Sequence, residues 1–326
     1  MPDLSTTYMG LTLKNPIIVG SSGLTSSVKG AREAEAAGAG ALVLKSIFEE
    51  EIAVEYESVL KEATAKGLNL ESFDYYDYQI RGDRVSGYVE LVREAKKSLS
   101  IPVIASVNCT WSHEWASFAR ELEKAGADGL ELNMFFLPSD LKRSSEEREK
   151  EYLRIVERVK SEVRIPIALK ISPYFSTLAQ MIRILSKSGI SALVLFNRFY
   201  SIDFDIEKLA VTASNTLSAP AELATSLRWI SLMAKRIDCD LAASTGVHDG
   251  KAVIKQLLAG AKAVQAVSTF YKNGLGQLKG MIAELESWMT RHGFSAIADF
   301  RGKMSQAESE DPAVYERVQF MKHYGV

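Results

Sequence analysis

Cysteine is scarce in this sequence, with only Cys109 and Cys239 among 326 residues. The two do not form a Cys-x-x-Cys pair, which disfavours a disulfide framework, a structural zinc site and an iron–sulfur cluster, and we expect no metal. The sequence also lacks a charged-then-apolar leader and any run of about 18 apolar residues. We therefore expect a cytoplasmic protein that has no membrane partner.

A surplus of charge of either sign is also missing. The formal net charge is −2, with 39 Lys and Arg against 41 Asp and Glu, which disfavours nucleic acid or an anionic membrane as the main partner. No Gly-x-Gly-x-x-Gly follows the first apolar run, which disfavours a dinucleotide fold. What the chain does have is 47% hydrophobic residues, enough for a large buried core.

An internal repeat indicates the architecture. Four times, a helical segment ends on Gly and an apolar run follows after a short loop; four further apolar runs lack the glycine. Apolar runs without alternation are typical of parallel strands buried on both faces. Eight such strands alternating with helices predict an α/β fold, a TIM (β/α)8 barrel, in preference to an open doubly wound sheet. The predicted strands are 17–20, 41–45, 103–107, 129–133, 167–171, 192–197, 241–243 and 263–267.

We expect one domain over residues 1–326, with two long connections at the carboxyl ends of its strands. Residues 46–88 form an insertion after the second strand that is acidic and then aromatic, which fits a lid, local packing or a subunit contact. Residues 134–150, after the fourth strand, begin apolar and become strongly charged. Residues 275–326 are expected to form a C-terminal helical segment.

Polar residues end five of the predicted strands. Barrels of this kind carry their sites at the carboxyl ends of the strands. A lysine at such a position can simply extend to water, but two lysines and three asparagines on otherwise apolar strands favour a functional site. These residues are Lys45, Asn108, Asn133, Lys170 and Asn197.

The last two strands lead into small hydroxyl residues, Ser244-Thr245-Gly246 and Ser268-Thr269. Each segment is predicted to precede a helix, and Gly260 is predicted to cap the helix between them. Free backbone N–H groups and helix dipoles both favour an anion at such a place, which predicts a phosphate cradle. Two ordinary strand-to-helix turns are the alternative interpretation.

These features together favour flavin mononucleotide (FMN) bound across the mouth of the barrel. Small residues at the strand ends allow a flat ring to approach the backbone. A lysine beside flavin N1 stabilises the reduced anion, and asparagines can hydrogen-bond both a flavin edge and an amide-like substrate. The predicted cradle would then hold the phosphate of the cofactor.

Several motifs resemble those of the dihydroorotate dehydrogenase family, its soluble class 1 branch in particular. The similar segments extend over nearly the whole chain: 15–23, 44–46, 73–76, 169–175, 217–220 and 297–303. That family is a (β/α)8 flavoprotein that oxidises dihydroorotate to orotate through FMN, a step of pyrimidine biosynthesis. The resemblance implies the same reaction here, a small-molecule substrate, fumarate or another small soluble electron acceptor, and a homodimer.

The resemblance also implies roles for individual residues. Lys45, Asn133 and Asn197 would reach the substrate and act in catalysis. The residues expected to bind the cofactor are Ser21, Ser22, Gly23, Lys45, Ser46, Asn108, Asn133, Lys170, Asn197, Ser218, Ser244, Thr245, Gly246, Ser268 and Thr269.

The substrate side departs from the family pattern. The family has a Cys or Ser base shortly after its strand-four asparagine, whereas here Phe136 or Leu137 falls on that position. We expect Ser139 to serve as the base from a shifted loop, with Asp140 and Cys109 as alternatives, and at least one phenylalanine of this loop to pack over the mouth. The family also has Asn-Ser-Met-Gly where this chain has Thr-Ala-Lys-Gly at 64–67.

Three other functions stay open at this stage. An FMN oxidoreductase acting on a different small substrate would explain the missing base. A barrel lyase or isomerase that binds a phosphorylated metabolite without flavin would explain the cradle alone. A catalytically silent flavin-binding protein would explain the retained cofactor side.

Overall fold

A closed barrel of eight parallel strands forms the centre of the molecule. The computed structural model describes residues 1–48, 73–108, 115–198, 201–214 and 216–316. The sheet closes because the second strand of the barrel pairs with the third, Leu42 opposite Val103. The predicted (β/α)8 barrel is confirmed. The barrel strands are β3 (Ile17–Val19), β4 (Ala41–Val43), β6 (Val103–Asn108), β7 (Gly129–Asn133), β8 (Ile167–Ile171), β9 (Ala192–Leu195), β12 (Asp240–Ala243) and β13 (Ala263–Ala266).

The described helices follow the barrel strands and surround them. Gly260 caps the carboxyl end of the helix Gly250–Ala259 with a φ of 120°, as its position before an apolar run predicts. The described α-helices are α1 (Val28–Ala36), α2 (Phe73–Ser98), α3 (Trp115–Lys124), α4 (Ser145–Glu162), α5 (Leu178–Ser186), α6 (Leu223–Met233), α7 (Gly250–Ala259), α8 (Ser268–Asn273) and α9 (Gln277–His292). Among the described residues, none of the helices has the length and apolar character that a membrane span requires.

Two hydrophobic layers explain why the strands read as continuous apolar runs. Outward side chains of the strands pack under the helices in a large core, for example Leu42, Leu132 and Leu169. Inward side chains fill the lower half of the barrel and are small or branched, for example Ala41, Ala192 and Ala263. Both faces of the barrel strands are therefore buried, which removes the alternation of a half-exposed strand.

An N-terminal hairpin closes the lower end of the barrel. Its strands β1 (Thr6–Tyr8) and β2 (Leu11–Leu13) pair antiparallel. Tyr8, Met9 and Leu13 are buried in the inner core. The sequence analysis predicts nothing for this segment, because three-residue strands carry too little periodicity to be recognised.

Four segments leave the regular pattern. Strand β5 (Ile47–Phe48) adds to the edge of β6. Helix α2 covers residues 73–88 of the predicted insertion, while 49–72 lie outside the described residues. A hairpin of β10 (Ser201–Asp205) and β11 (Ala210–Ser214) follows β9 and exposes Phe204 and Leu209 to solvent. In the predicted C-terminal segment α9 is followed by short 3-10 turns, and residues 317–326 lie outside the described part.

The predicted strands agree in position with the observed ones but extend too far at several carboxyl ends. Gly20, Lys45, Asn197 and Val267 lie just beyond the last strand residue. Their backbone leaves the sheet there, which brings their groups to the rim of the barrel. Of the predicted polar ring, Lys45 and Asn197 therefore lie in loop starts, whereas Asn108, Asn133 and Lys170 remain on their strands.

Stability should depend on the tyrosine that closes the barrel. Tyr8 is fully buried, and its hydroxyl has no hydrogen-bond partner among the described residues. Tyr8→Ala should lower the free energy of unfolding by about 3–5 kcal/mol, because it empties a ring-sized volume. Tyr8→Phe is the matched control and should stay within about 1 kcal/mol of the parent, since the hydroxyl it removes is unsatisfied. Urea denaturation measures both, and a Tyr8→Phe loss as large as that of Tyr8→Ala would contradict this account.

Candidate active site

One pocket at the carboxyl ends of the strands contains most of the predicted site residues. It encloses about 340 Å³, within the usual range for small-molecule sites. Predicted members that line it are Ser21, Ser22, Lys45, Ser46, Asn133, Lys170, Asn197, Ser218, Ser244, Thr245, Gly246 and Ser268. The fold therefore assembles residues that are up to 247 positions apart in sequence, Ser21 and Ser268 being the extremes.

Lys170 reaches the pocket from β8. It lies opposite Asn133 of β7 in the parallel register, so the two side chains share one level of the barrel. The Lys170 ammonium donates a hydrogen bond to Gln265 Oε1 at 2.8 Å and lies 3.9 Å from Glu131 Oε1. Its position is thus fixed by groups below the pocket, and its side chain is only 12% exposed.

The two pocket asparagines contact each other. Asn197 Nδ2 donates to Asn133 Oδ1 at 3.2 Å and to the Met134 carbonyl at 3.1 Å. Asn197 Oδ1 is buried and has no hydrogen-bond partner within the described ranges. A buried carbonyl oxygen without a donor is costly, so this atom is suited to accept a hydrogen bond from a bound molecule.

A chain of serine hydroxyls supports the side of the pocket formed by the first strands. Ser46 Oγ lies 3.0 Å from Ser21 Oγ and 2.7 Å from Ser106 Oγ. The Ser46 amide also donates to Ser21 Oγ at 2.8 Å. These bonds fix the loop that carries Lys45, so the lysine leaves β4 in a defined direction.

Ser218 is the centre of the predicted phosphate cradle. Its amide donates to Ser268 Oγ at 2.9 Å, and its hydroxyl accepts a 3.3 Å bond from the Gly246 amide. Lys272 donates to the Ser218 carbonyl at 2.9 Å. His248 Nε2 lies 3.3 Å from the Ser218 hydroxyl. Burial, followed by the Lys272 charge, lowers the pKa of His248, which favours its neutral form.

A backbone amide at the cradle is available to a ligand. Among the described residues, no acceptor is found for the amide of Ser268, which opens α8 and lines the pocket. Thr245 and Gly246 have φ values of 75° and 77°, which turn the chain sharply after β12. An anion placed here would meet this N–H donor and the serine hydroxyls of the cradle.

Three predicted cofactor-binding residues do not line the pocket. A Cβ at Gly23 would lie 2.7 Å from the Tyr271 hydroxyl, so this glycine makes room for Tyr271. Asn108 is buried at the end of β6. Thr269 is fully buried, and its hydroxyl donates to the His248 carbonyl at 3.0 Å. Gly23 and Thr269 thus lie next to the pocket in sequence but face Tyr271 and His248 instead.

Sequence reasoning missed several residues that line the pocket. Gln265 is one polar side chain in an apolar strand, a signal that inspection of β13 could have found. Arg198 follows Asn197, and its guanidinium donates to Glu222 at 2.6 Å and to the Thr216 carbonyl at 3.0 Å. The residues missed are Phe196, Arg198, Thr216, Val247, Gln265, Ala266 and Val267.

The Arg198–Glu222 ion pair separates this pocket from a smaller one. The second pocket encloses about 280 Å³ and shares Asn197, Arg198 and Thr245 with the first. Burial acts to raise the pKa of Glu222, but hydrogen bonds from Arg198 and the Ala219 amide outweigh it and leave the pKa lowered. The pair therefore stays charged at neutral pH.

The loop after β7 does not bring the proposed base to the pocket. Phe136 packs edge-on against Tyr152 at 5.3 Å between ring centroids, and Tyr152 packs on Phe175 in the same way. The aromatic contact packs this part of the loop against the outer core under the helices. Ser139 and Asp140 are exposed and line neither of these two pockets. Cys109 and residues 64–67 lie outside the described residues.

Comparison with known proteins gives one family. The model of the dihydroorotate dehydrogenase family matches residues 3–289. A catalytic subunit of dihydroorotate dehydrogenase B (NAD+) from Thermoplasma volcanium is 28% identical, over 93% of this chain and 98% of the relative. A putative dihydroorotate dehydrogenase A (fumarate) from Aeropyrum pernix is 27% identical, over 94% and 99%. The chloroplastic dihydropyrimidine dehydrogenase (NADP+) of Arabidopsis thaliana is 24% identical, over 94% and 78%.

Gly246 should be required by the fold itself. A Cβ at this position would lie 2.2 Å from the Leu223 amide nitrogen, and the φ of 77° adds strain for any other residue. Gly246→Ala should lower the free energy of unfolding by more than about 2 kcal/mol. Gly280→Ala is the matched control: nothing lies within 4 Å of its Cβ, and helix propensity should stabilise it by up to about 1 kcal/mol. Thermal unfolding measures the pair, and equal stability of both variants would refute the close-contact argument.

Proposed function

The chain belongs to the dihydroorotate dehydrogenase family, and from this premise we propose that it is an FMN-dependent enzyme that oxidises dihydroorotate to orotate in pyrimidine biosynthesis. The observation that carries the proposal is one pocket in which two lysines and two asparagines face a serine-rich anion cradle. The family consists of flavin-dependent oxidoreductases that act on a CH–CH group. The choice of FMN, and of the residues below, is our proposal.

The described residues fit FMN on two independent grounds. The amide of Ser268 and the hydroxyls around Ser218 offer a phosphate several donors. The orphaned Asn197 Oδ1 offers an acceptor deeper in the pocket. A phosphate on a ribityl chain and a ring with N–H groups satisfy both, whereas a small phosphorylated metabolite would reach only the first.

Each side of the pocket then has a separate role in binding the cofactor or the substrate. Ser218, Ser244, Thr245, Gly246 and Ser268 hold the phosphate. Lys170 lies at the level where the ring would rest and supplies positive charge to it. FMN, when bound, supplies the two-electron acceptor for oxidation of the substrate C–H bonds. Lys45 and the paired asparagines Asn133 and Asn197 bind and orient the substrate over that ring.

Proton removal from the substrate is the step for which this chain differs from its family. Phe136, one of the two residues at the family's base position, cannot accept a proton and is held by Tyr152. Ser139 is exposed, and its loop would have to move for Ser139 to act as the base. A general base contributes about 10²–10⁴-fold to such reactions, which makes the rate of flavin reduction the informative quantity.

Membership of the family does not fix the electron acceptor or the oligomeric state. Relatives of similar identity are named for NAD+, fumarate and NADP+. We retain a small soluble acceptor, with fumarate as the first to be tested, and a cytoplasmic homodimer as proposals. Steady-state assays with each acceptor and light scattering of the purified protein test them.

Anaerobic titration with dihydroorotate tests the proposed function directly. The purified protein should carry FMN absorbance, and dihydroorotate should bleach it to the reduced spectrum, since no acceptor is present to reoxidise it. 5,6-Dihydrouracil, which lacks the carboxylate, should bleach it more slowly because Lys45 and Arg198 favour an anion. Bleaching by dithionite but by neither dihydropyrimidine would leave a flavin protein with another substrate. A colourless protein that takes up no FMN would end the proposal.

Lys170 and Lys45 should differ in what their removal affects. Lys170→Ala should slow flavin reduction by about 10²-fold and weaken FMN binding, because the charge beside the ring is lost. Lys45→Ala should keep the FMN content and raise the KM for dihydroorotate. Lys279→Ala, exposed on α9, is the control and should match the parent. Stopped-flow reduction and bound-FMN content measure all three, and the reverse pattern would mean that the two lysines have exchanged roles.

A further inference from the structure

A buried carboxylate lies directly beneath the pocket and has no part in the function described above. Glu131 is only 1% exposed, on β7 two residues before Asn133. Its side chain points to the barrel axis, where the residues below it are apolar. Burying a carboxylate is expensive unless it is paired and hydrogen-bonded, so its neighbours decide what it does.

Glu131 forms a three-residue network with Gln265 and Lys170. Gln265 Nε2 donates to Glu131 Oε2. The other end of the same amide, Gln265 Oε1, accepts from the Lys170 ammonium at 2.8 Å. Glu131 Oε1 lies 3.9 Å from that ammonium and has no hydrogen-bond partner among the described residues. The network connects three strands, β7, β8 and β13.

This arrangement fixes the orientation of Gln265. Its amide nitrogen can donate to the carboxylate only while its oxygen faces Lys170. With both ends engaged, Gln265 lines the pocket floor in one orientation. Lys170 in turn is held by the oxygen of Gln265 and by the charge of Glu131. Removal of Glu131 would release both residues that face the ring.

The charge of Glu131 acts beyond this network. The pKa of Tyr8, at the bottom of the barrel, is raised first by burial and then by the negative charge of Glu131. Burial also raises the pKa of Tyr88, with Glu131 adding to it. The negative charge of Glu131 therefore acts on more than one buried group, and the Lys170 ammonium, 3.9 Å from Glu131 Oε1, lies within its reach.

We propose that Glu131 is a positioning residue that holds Lys170 and Gln265 under the flavin and sets the flavin's reduction potential by offsetting part of the Lys170 charge. The proposal rests on the proposed FMN site. Two electrons and one proton added to a flavin leave a negative charge on the ring, which Lys170 favours and Glu131 opposes. The pair therefore keeps the potential lower than Lys170 alone would make it.

The midpoint potential of the bound flavin tests this without any substrate. FMN-loaded protein is reduced slowly with dithionite in equilibrium with a dye of known potential. Glu131→Gln keeps the shape but removes the charge, and it should raise the reduced-to-oxidised ratio at a given potential about tenfold or more, which for two electrons corresponds to about 30 mV. Glu131→Met, without charge or acceptor oxygen, should shift the potential in the same direction, so the test does not depend on one variant folding.

Two comparisons separate charge from packing. Lys170→Met should lower the potential. Gln256→Met is the matched control: Gln256 is fully buried and donates to Ser226 at 2.9 Å under α6, away from the barrel axis. It should leave the potential unchanged.

Each outcome decides the proposal. A raised potential in both Glu131 variants, with the control unchanged, supports it. An unchanged or lower potential in folded, FMN-loaded Glu131→Gln overturns it, even if stability or FMN affinity falls. Failure of dihydroorotate to reduce the wild-type flavin would overturn the proposed function alone, because the midpoint potential can still be measured with dithionite. A wild-type protein that binds no FMN would overturn both.

Discussion

Closure of eight parallel strands is the constraint on which the rest of this structure depends. Pairing of β4 with β6 removes the free edges and directs every second side chain to the barrel axis. The axis is too narrow for long side chains at every level, so Ala41, Ala192 and Ala263 fill its lower half. Polar and charged residues are then confined to the levels near the mouth. Glu131 and Gln265 lie at the boundary between the apolar lower half of the barrel and the pocket.

The same constraint explains why the cofactor side and the substrate side of the pocket differ in how well they follow the family. Residues on strands and their first loop positions are fixed by the register, as Asn133 opposite Lys170 is. The segment after β7 is fixed only by its own contacts, and here Phe136, Tyr152 and Phe175 form an aromatic cluster in the helical layer. A residue supplied from that loop is therefore more easily displaced, while the lysine on β8 stays in place.

Particular residues show how far the sequence predicts the site. Lys45, Lys170 and Asn197 line the pocket as strand-end residues of a barrel should. Thr269 and Gly23 occupy the expected loops but face His248 and Tyr271 instead of the pocket. Ser139 was expected near the ring and is exposed. The roles of the pocket residues in binding and catalysis stay predictions until the variants are measured.

The sequence by itself determined the barrel, since a repeated pattern of apolar runs and capping glycines is a local property of the chain. It also determined which strand ends carry lysine, asparagine and serine. Only the tertiary structure decided which of these side chains meet. The Glu131–Gln265–Lys170 network joins residues 134 positions apart at its widest, and its geometry depends on the stagger of three strands around a closed sheet. The direction of a side chain just beyond a strand end, as at Thr269, depends likewise on neighbours that no local pattern encodes.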